Sequence, residues 1–359
     1  MSRKKIIRIT TISFSLDTLL KGQLSFLNNY YEVVGIASGK KELQKVSKRE
    51  DIRVINIPMS REISLWQDLR SLILLVALFI KERPYIVHAN TPKASLLAMV
   101  AAWVTRVPYR IYTVTGLRFE TAIGNFRKLL IAMEKITCWC ATKVIPEGEG
   151  VKKALIREKI TNRPLRVILN GNINGIDTQH YDRTTLVNLL ASEIREKDKF
   201  TFCFVGRLVR DKGINELVFA FVRLYEQNVG VRLILVGPFE KELDPVLPET
   251  EWQILNHTAI SFVGFQQDIR PYLAASDALA FPSYREGFPN VVLQAGAMGL
   301  PSIVTDINGC NEIIEDGVNG VIVPPRDEEA LYNAMKYFVE HRDTDVRAMA
   351  ERARPIIVD

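Results

Sequence analysis

Arg207 and Lys212 stand five residues apart in Phe204-Val205-Gly206-Arg207-Leu208-Val209-Arg210-Asp211-Lys212-Gly213, and Glu286 opens a second stretch, Glu286-Gly287-Phe288-Pro289-Asn290-Val291-Val292-Leu293-Gln294. The apolar run Phe200–Val205 reads as a strand that ends at Gly206. It presents both cations beside the start of a helix near Asn215. A guanidinium forks onto phosphate oxygens, and an ammonium adds a compact charge. In the second stretch Gly287, Phe288, Pro289 and Asn290 form a turn that opens another helix. Pro289 suits a first helical turn, where its missing donor does no harm. Free N–H groups and the positive end of the helix dipole favour an anion there. Gly287 lets the backbone come close to a ligand. Glu286 can accept hydrogen bonds from sugar hydroxyls, and the Gln294 amide, about two turns along and roughly on the same face, can bond a ribose. These are the parts of a diphosphate site with sugars at its ends. The plainer readings are two solvated cations beside a turn and a carboxylate that complements a helix dipole.

Elements that could position these groups alternate along the whole chain. In the first half Lys5–Ile12, Tyr31–Ala37, Arg53–Ile57, Ile86–His88, Arg110–Val114, Lys143–Pro146 and Val167–Leu169 read as strands. Thr18–Asn28, Ser64–Lys81, Ala94–Arg106 and Phe126–Thr142 read as helices. The second half restarts the pattern with strands at Phe200–Val205, Arg232–Val236, Ile260–Val263, Ala278–Ala280, Ser302–Val304 and Gly320–Val323. Its helices are Asn215–Gln227, Ile269–Ala275, Pro289–Met298 and Glu328–Val339. This alternation predicts α/β architecture with two doubly wound parallel sheets, each covered by helices on both faces. The expected boundaries are 1–170 for the first domain, 171–199 for a polar connection, 200–345 for the second domain and 346–359 for the start of a last helix. Ligands of such sheets bind beyond the carboxyl ends of the strands, and every residue named above follows such an end.

The totals narrow the classes further. The chain has 359 residues and a formal net charge of +6. Residues 1–165 hold 28 Lys and Arg against 13 Asp and Glu, a balance of +15, while residues 166–359 hold 19 against 28, a balance of −9. A basic half points to a polyanionic partner. The cations are spread over many elements without interleaved aromatics, so nucleic acid is not expected. Lipid phosphates or an anionic membrane surface fit better, beside the plain reading of a solvated basic face. The longest apolar runs, Leu72–Ile80 and Ala94–Val104, are too short for a span of about 20 residues, so any membrane contact is expected to be peripheral. Met1-Ser2-Arg3-Lys4-Lys5 imitates the start of a signal peptide, but Arg8 and Asp17 interrupt the apolar stretch that should follow. Cys138, Cys140, Cys203 and Cys310 form no CxxC pair and read as buried free thiols.

On these residues the chain resembles the GT-B-fold glycosyltransferases of family 4, the retaining, metal-independent type. Phe204–Gly213 is similar to the family's phosphate-binding stretch, and Arg285–Gln294 to its Glu-x7-Glu motif, with Gln294 in place of the second carboxylate. Thr305–Glu312 is similar to the loop that follows. Lys21-Gly22-Gln23, Val87–Ala94, Tyr112–Leu117 and Asn170–Asp177 resemble the subgroup that builds capsular and lipid-linked saccharides. The resemblance implies two Rossmann-like domains facing a central cleft. It implies diphosphate contacts for Arg207 and Lys212, a donor-sugar contact for Glu286, and a turn at Gly22 that approaches the donor phosphates. Many members carry a His where this chain has Thr115, and that His helps hold the donor sugar. His88 is nearby in the pattern, although a lone His at a strand end is more often structural.

The expected activity is retaining transfer of a hexose or N-acetylhexosamine from a nucleotide-diphosphate sugar, UDP being the favoured base, to a lipid-diphosphate-linked saccharide such as one on undecaprenyl diphosphate. The expected place is the cytoplasmic face of the membrane, bound peripherally. No cofactor and no metal are expected: Asp343-Thr344-Asp345 reads as a helix start, and the four His are too scattered for zinc. Gly35–Lys40 has the wrong spacing for a P-loop. Two rivals stay open, a catalytically silent GT-B subunit that binds a saccharide or a partner, and an epimerase acting on the sugar nucleotide itself.

Overall fold

The computed structural model describes residues 3–61, 63–227, 230–242 and 244–358. The chain divides into two compact units, Met1–Gly175 and Ile176–Asp359. In the first, β1 (Lys5–Ile12), α1 (Ser13–Leu19), α2 (Gln23–Asn28), β2 (Glu32–Ser38), α3 (Lys40–Glu50), β3 (Arg53–Asn56) and α4 (Leu65–Glu82) are followed by β4 (Ile86–Ala89), α5 (Pro92–Val104), β5 (Tyr109–Val114), α6 (Gly124–Cys140), β6 (Lys143–Pro146) and α7 (Glu149–Arg157). The strands are parallel in the order β3-β2-β1-β4-β5-β6.

The two-residue period of β1 divides its side chains between two cores. Ile7 and Ile9 join Val34, Ile36, Val87 and Tyr112 under α4, α5 and α6. Ile6 joins Val33 and Ala37 under α1, α2 and α3. Packing sheet against helices on both sides explains why these strands are so uniformly apolar.

The second unit contains α8 (Thr185–Ile194), β7 (Phe200–Val205), α9 (Ile214–Gln227), β8 (Val231–Val236), α10 (Pro248–Asn256), β9 (Ile260–Gly264) and α11 (Arg270–Ala274). It continues with β10 (Ala278–Phe281), α12 (Asn290–Ala297), β11 (Ser302–Thr305), α13 (Cys310–Ile313), β12 (Gly320–Val323), α14 (Glu328–Glu340) and α15 (Asp345–Val358). Its sheet has the order β12-β11-β10-β7-β8-β9. Numbered within each unit, both sheets run 3-2-1-4-5-6, the doubly wound arrangement whose order reverses beside the first strand. The reversal lies between β1 and β4 in one unit and between β7 and β10 in the other.

Several expectations are corrected. The helix expected over Thr18–Asn28 starts earlier, directly after β1, and is broken at Gly22 into α1 and α2. Val167–Leu169 forms no strand. α3 was not expected, because only Leu43 and Val46 of its eleven residues are buried hydrophobics and charge hides the period. The polar connection expected over 171–199 carries α8. Thr184 caps α8 by accepting the Val187 amide at 3.3 Å, and Val187 and Ala191 pack into the second unit's core. Exposed Leu186, Leu189 and Leu190 blur its apolar face in the sequence. The last helix begins at Asp345 and packs on α12 of its own unit, where Ile357 lies against Gly296. All four cysteines are free and buried.

Glu134 is a buried carboxyl with no cation bonded to it among the described residues. Glu134 of α6 accepts the Tyr112 hydroxyl at 2.9 Å, and burial raises its pKa to about 7. In the unfolded chain it would ionise in the ordinary carboxylate range. The folded state therefore holds the extra proton between about pH 4.5 and 7, and stability falls as pH rises through that window. The loss is on the order of 3 kcal/mol. Glu134→Gln should flatten this fall, which melting temperatures of both proteins from pH 5 to pH 8 will show. Parallel curves would refute it.

Candidate active site

The second unit assembles most of the expected residues at the reversal of its sheet. Gly206 still belongs to the ladder, donating its amide to Val236 O at 2.9 Å. Leu208 then bonds Pro238 O at 2.8 Å, so the chain after β7 runs on beside the chain after β8. Residues 210–212 form a single 3-10 turn that delivers Lys212, and Gly213 ends it with φ +68°. A side chain at Gly213 would place Cβ 2.1 Å from Pro282 O, so the turn can lie against the end of β10 only with glycine there.

That contact is reinforced around Asp211. Its carbonyl accepts the Tyr284 amide at 2.8 Å, and the Ser283 hydroxyl oxygen lies 3.3 Å from it. Its carboxylate accepts Arg285 Nε at 3.0 Å, and its amide donates to Asp244 at 2.7 Å. The Thr305 hydroxyl, at the end of β11, donates to Ser283 O. Three strand ends are thus tied through one backbone segment, Pro282–Arg285.

Within this frame Lys212 Nζ is ion-paired with Glu286 Oε1. The same oxygen accepts the Ser283 hydroxyl at 2.8 Å, leaving Glu286 Oε2 without a hydrogen bond among the described residues. Lys212 Nζ also lies 5.3 Å from the centre of the Phe281 ring. Both side chains of the pair are mostly buried, at 19% and 16% exposure, where a charge is costly unless matched. Arg207 is half-exposed and pairs with Glu240, an acid that the sequence reading did not single out.

The turn before α12 is shaped by a second backbone contact. Gly309, with φ +76°, faces Gly287 and Phe288 so closely that a Cβ would stand 2.5 Å from Gly287 O. Phe288 is buried in the core. Pro289 precedes the helix, which starts at Asn290 and not at Pro289 itself. Burial raises the pKa of the Tyr181 hydroxyl, and the nearby Gln294 amide opposes that rise. Tyr181 reaches this helix from the segment read as a featureless connection, so no spacing signal could have found it.

In the first unit each candidate is bonded to other groups of the chain. The Gly22 amide is bonded to both oxygens of Glu50, at 3.0 and 3.1 Å, and the Ser25 amide to one, at 3.1 Å. A carboxylate of the chain itself therefore meets the start of α2, where a donor phosphate was expected. His88 lies in β4 and is partly exposed. Arg8 can only donate, so Nδ1 of His88 accepts from Arg8 Nη1 at 2.6 Å, and Nε2 donates to Thr113 at 2.8 Å. Burial, then the Arg8 charge, push the His88 pKa well below its ordinary value. Burial also lowers Arg8 to about 9. Those bonds give His88 a structural role in the sheet. The Thr115 hydroxyl donates to Asn90 O at 2.8 Å, closing the loop after β5 onto the end of β4.

Two doubly wound units of this kind are the GT-B architecture, and comparison with known proteins places the chain among glycosyltransferases. Residues 199–341 match the family described as Glycosyl transferases group 1, and residues 29–171 match Glycosyl transferase 4-like domain. A capsular polysaccharide biosynthesis glycosyltransferase of Staphylococcus aureus, CapM, is 34% identical over 336 residues, covering 92% of this chain and 86% of the relative. The UDP-Gal:alpha-D-GlcNAc-diphosphoundecaprenol alpha-1,3-galactosyltransferase of Escherichia coli is 30% identical over 317 residues, covering 86% and 80%. Anabaena HepE, solved with UDP and glucose, superposes with a TM-score of 0.81 at 20% identity, over 99% of this chain and 94% of that one. The chain belongs to the GT-B-fold glycosyltransferases of family 4.

The Gly213 contact supplies a test of the frame. Gly213→Ala should cost at least about 2 kcal/mol, from the left-handed backbone and the collision with Pro282 together. A lowered melting temperature checks this; an unchanged one would show that the two loops are not packed as described.

Proposed function

We propose that this glycosyltransferase moves a hexose or N-acetylhexosamine from a UDP-sugar to a saccharide carried on a lipid diphosphate, with retention of anomeric configuration and without a metal. The observation that carries the reading is the Lys212–Glu286 pair, held by Ser283 at the switch point of the second sheet. An ammonium beside a carboxylate suits a donor that is anionic at its diphosphate and rich in hydroxyls at its sugar. Lys212 and Arg207 neutralise charge that grows on the diphosphate as the glycosidic bond breaks. Glu286, through its unengaged Oε2, accepts a sugar hydroxyl and fixes the ring. Gln294, one helix turn and more beyond Asn290 on α12, addresses the ribose.

In the proposed reaction the bond from the anomeric carbon to the diphosphate oxygen breaks, and a bond to the acceptor oxygen forms on the same face. The departing phosphate oxygen takes the acceptor's proton, so no separate base is needed. The names of the two relatives support the acceptor and donor classes: one acts in capsule biosynthesis, and the other uses UDP-Gal and a diphosphoundecaprenol acceptor. Capsule or a related surface polysaccharide is the pathway class this favours, with the enzyme working peripherally at the inner face of the membrane.

Arg207→Ala and Glu286→Ala should each lower kcat about 100- to 1000-fold in a transfer assay with the preferred UDP-sugar. Near-wild-type rates in both would refute the site. The matching sugar nucleotide should raise the melting temperature, since a ligand that binds the native state stabilises it by mass action. A shift with purine sugar nucleotides but none with UDP-sugars would overturn the choice of base.

A further inference from the structure

We propose that the outer surface of the α4–α5–α6 layer is the face by which this protein docks on an anionic lipid bilayer. α5 packs between α4 and α6 on one side of the first sheet. The buried residues of α4 include Ser71, Leu75 and Phe79. On its opposite face Trp66, Leu69, Ile73 and Ile80 stand exposed, Trp66 at 84% and Ile73 at 61%. Their spacing of three, four and seven residues makes one stripe along the helix. α6 repeats the pattern with exposed Phe126, Leu129, Ile136 and Trp139. Trp103, at the end of α5, meets Trp139 with ring centres 4.9 Å apart and extends the α6 stripe onto α5. So many exposed large side chains on one layer exceed the scattered apolar residues of an ordinary surface.

Charge selects the occupant. Among the described residues these three helices contain only three acids, and all are withdrawn from the surface. Asp68 pairs with Lys93 at 2.8 Å, Glu82 with Lys5 and Arg53 at 2.6 Å, and Glu134 is buried. The exposed charges of the layer, Arg70, Lys81, Lys128 and Lys135, are all positive. Apolar stripes flanked by cations, with tryptophans at both edges, match the interface of a bilayer bearing anionic lipid. The second unit offers a contrast: exposed Trp252 and Leu255 share α10 with Glu249 and Glu251. No helix among the described residues is long and apolar enough to cross a membrane, so the layer would lie on the bilayer and not in it.

The inference rests on the proposed lipid-linked acceptor for its purpose but not for its test. The full chain is floated with vesicles of phosphatidylcholine containing phosphatidylglycerol, and with phosphatidylcholine alone. We expect flotation only with the anionic vesicles. The variant L69E/I73E/I136E should abolish it, and R70A/K135A should reduce partitioning roughly 25-fold, about fivefold for each cation. Melting with and without the preferred UDP-sugar controls for folding of the variants. Failure of the wild type to float, or equal flotation of the variants, overturns the docking face while leaving the transferase reading intact. Loss of UDP-sugar binding with normal flotation would do the reverse. A dimer dissociated by L69E/I73E/I136E in sedimentation would assign the face to a second copy and also overturn the proposal.

Discussion

The second unit depends on one close approach, that of the 3-10 turn at 210–212 to the chain leaving β10. Gly213 against Pro282, Asp211 against Ser283 and Tyr284, and Asp211 against Arg285 all fix the same separation. Only with that separation set can an ammonium from one strand end meet a carboxylate from the next with its partner hydroxyl in place. A mostly buried ion pair gains little net stability, because desolvation offsets most of the attraction. The frame must therefore be held without it, and it has its own ties in backbone contacts, hydrogen bonds and the Asp211–Arg285 ion pair. The pair can then serve chemistry instead of folding.

The same economy explains the different fates of the cations. Lys212 is mostly enclosed and bonded to a single acid, whereas Arg207 stays half-exposed. In the proposed reaction the compact, enclosed ammonium would meet the oxygen where charge develops, and the planar guanidinium the outer part of the diphosphate. In the first unit, Arg8 shows the opposite case. It is buried among His88 and Asn90, with no carboxylate bonded to it, and its guanidinium holds a proton less tightly in consequence.

Much of this was legible in the residues. The alternation of apolar strands with amphipathic runs gave twelve of the strand positions nearly to the residue, because strands buried on both faces are short, apolar and bounded by glycine and proline. Lys212 and Glu286 were readable because each follows a strand end within a few residues. What escaped depends on partners distant in sequence. Ser283 reads as an ordinary turn residue until Asp211 and Glu286 are seen beside it. Glu240 belongs to a loop with no pattern of its own. Tyr181 arrives from a segment whose only legible property was polarity. α3 was hidden by its eleven mostly charged residues, and nothing around Gly22 announces that Glu50, 28 residues further on, bonds its amide.

The four cysteines carry a practical consequence. Each thiol is enclosed, and burial raises the pKa of every one, that of Cys203 to about 12. Reagents that attack thiolates find almost none on the folded molecule. A cysteine introduced at any exposed position would then be the sole reactive sulfur, so spin labels or fluorophores can be attached singly without first removing the native ones.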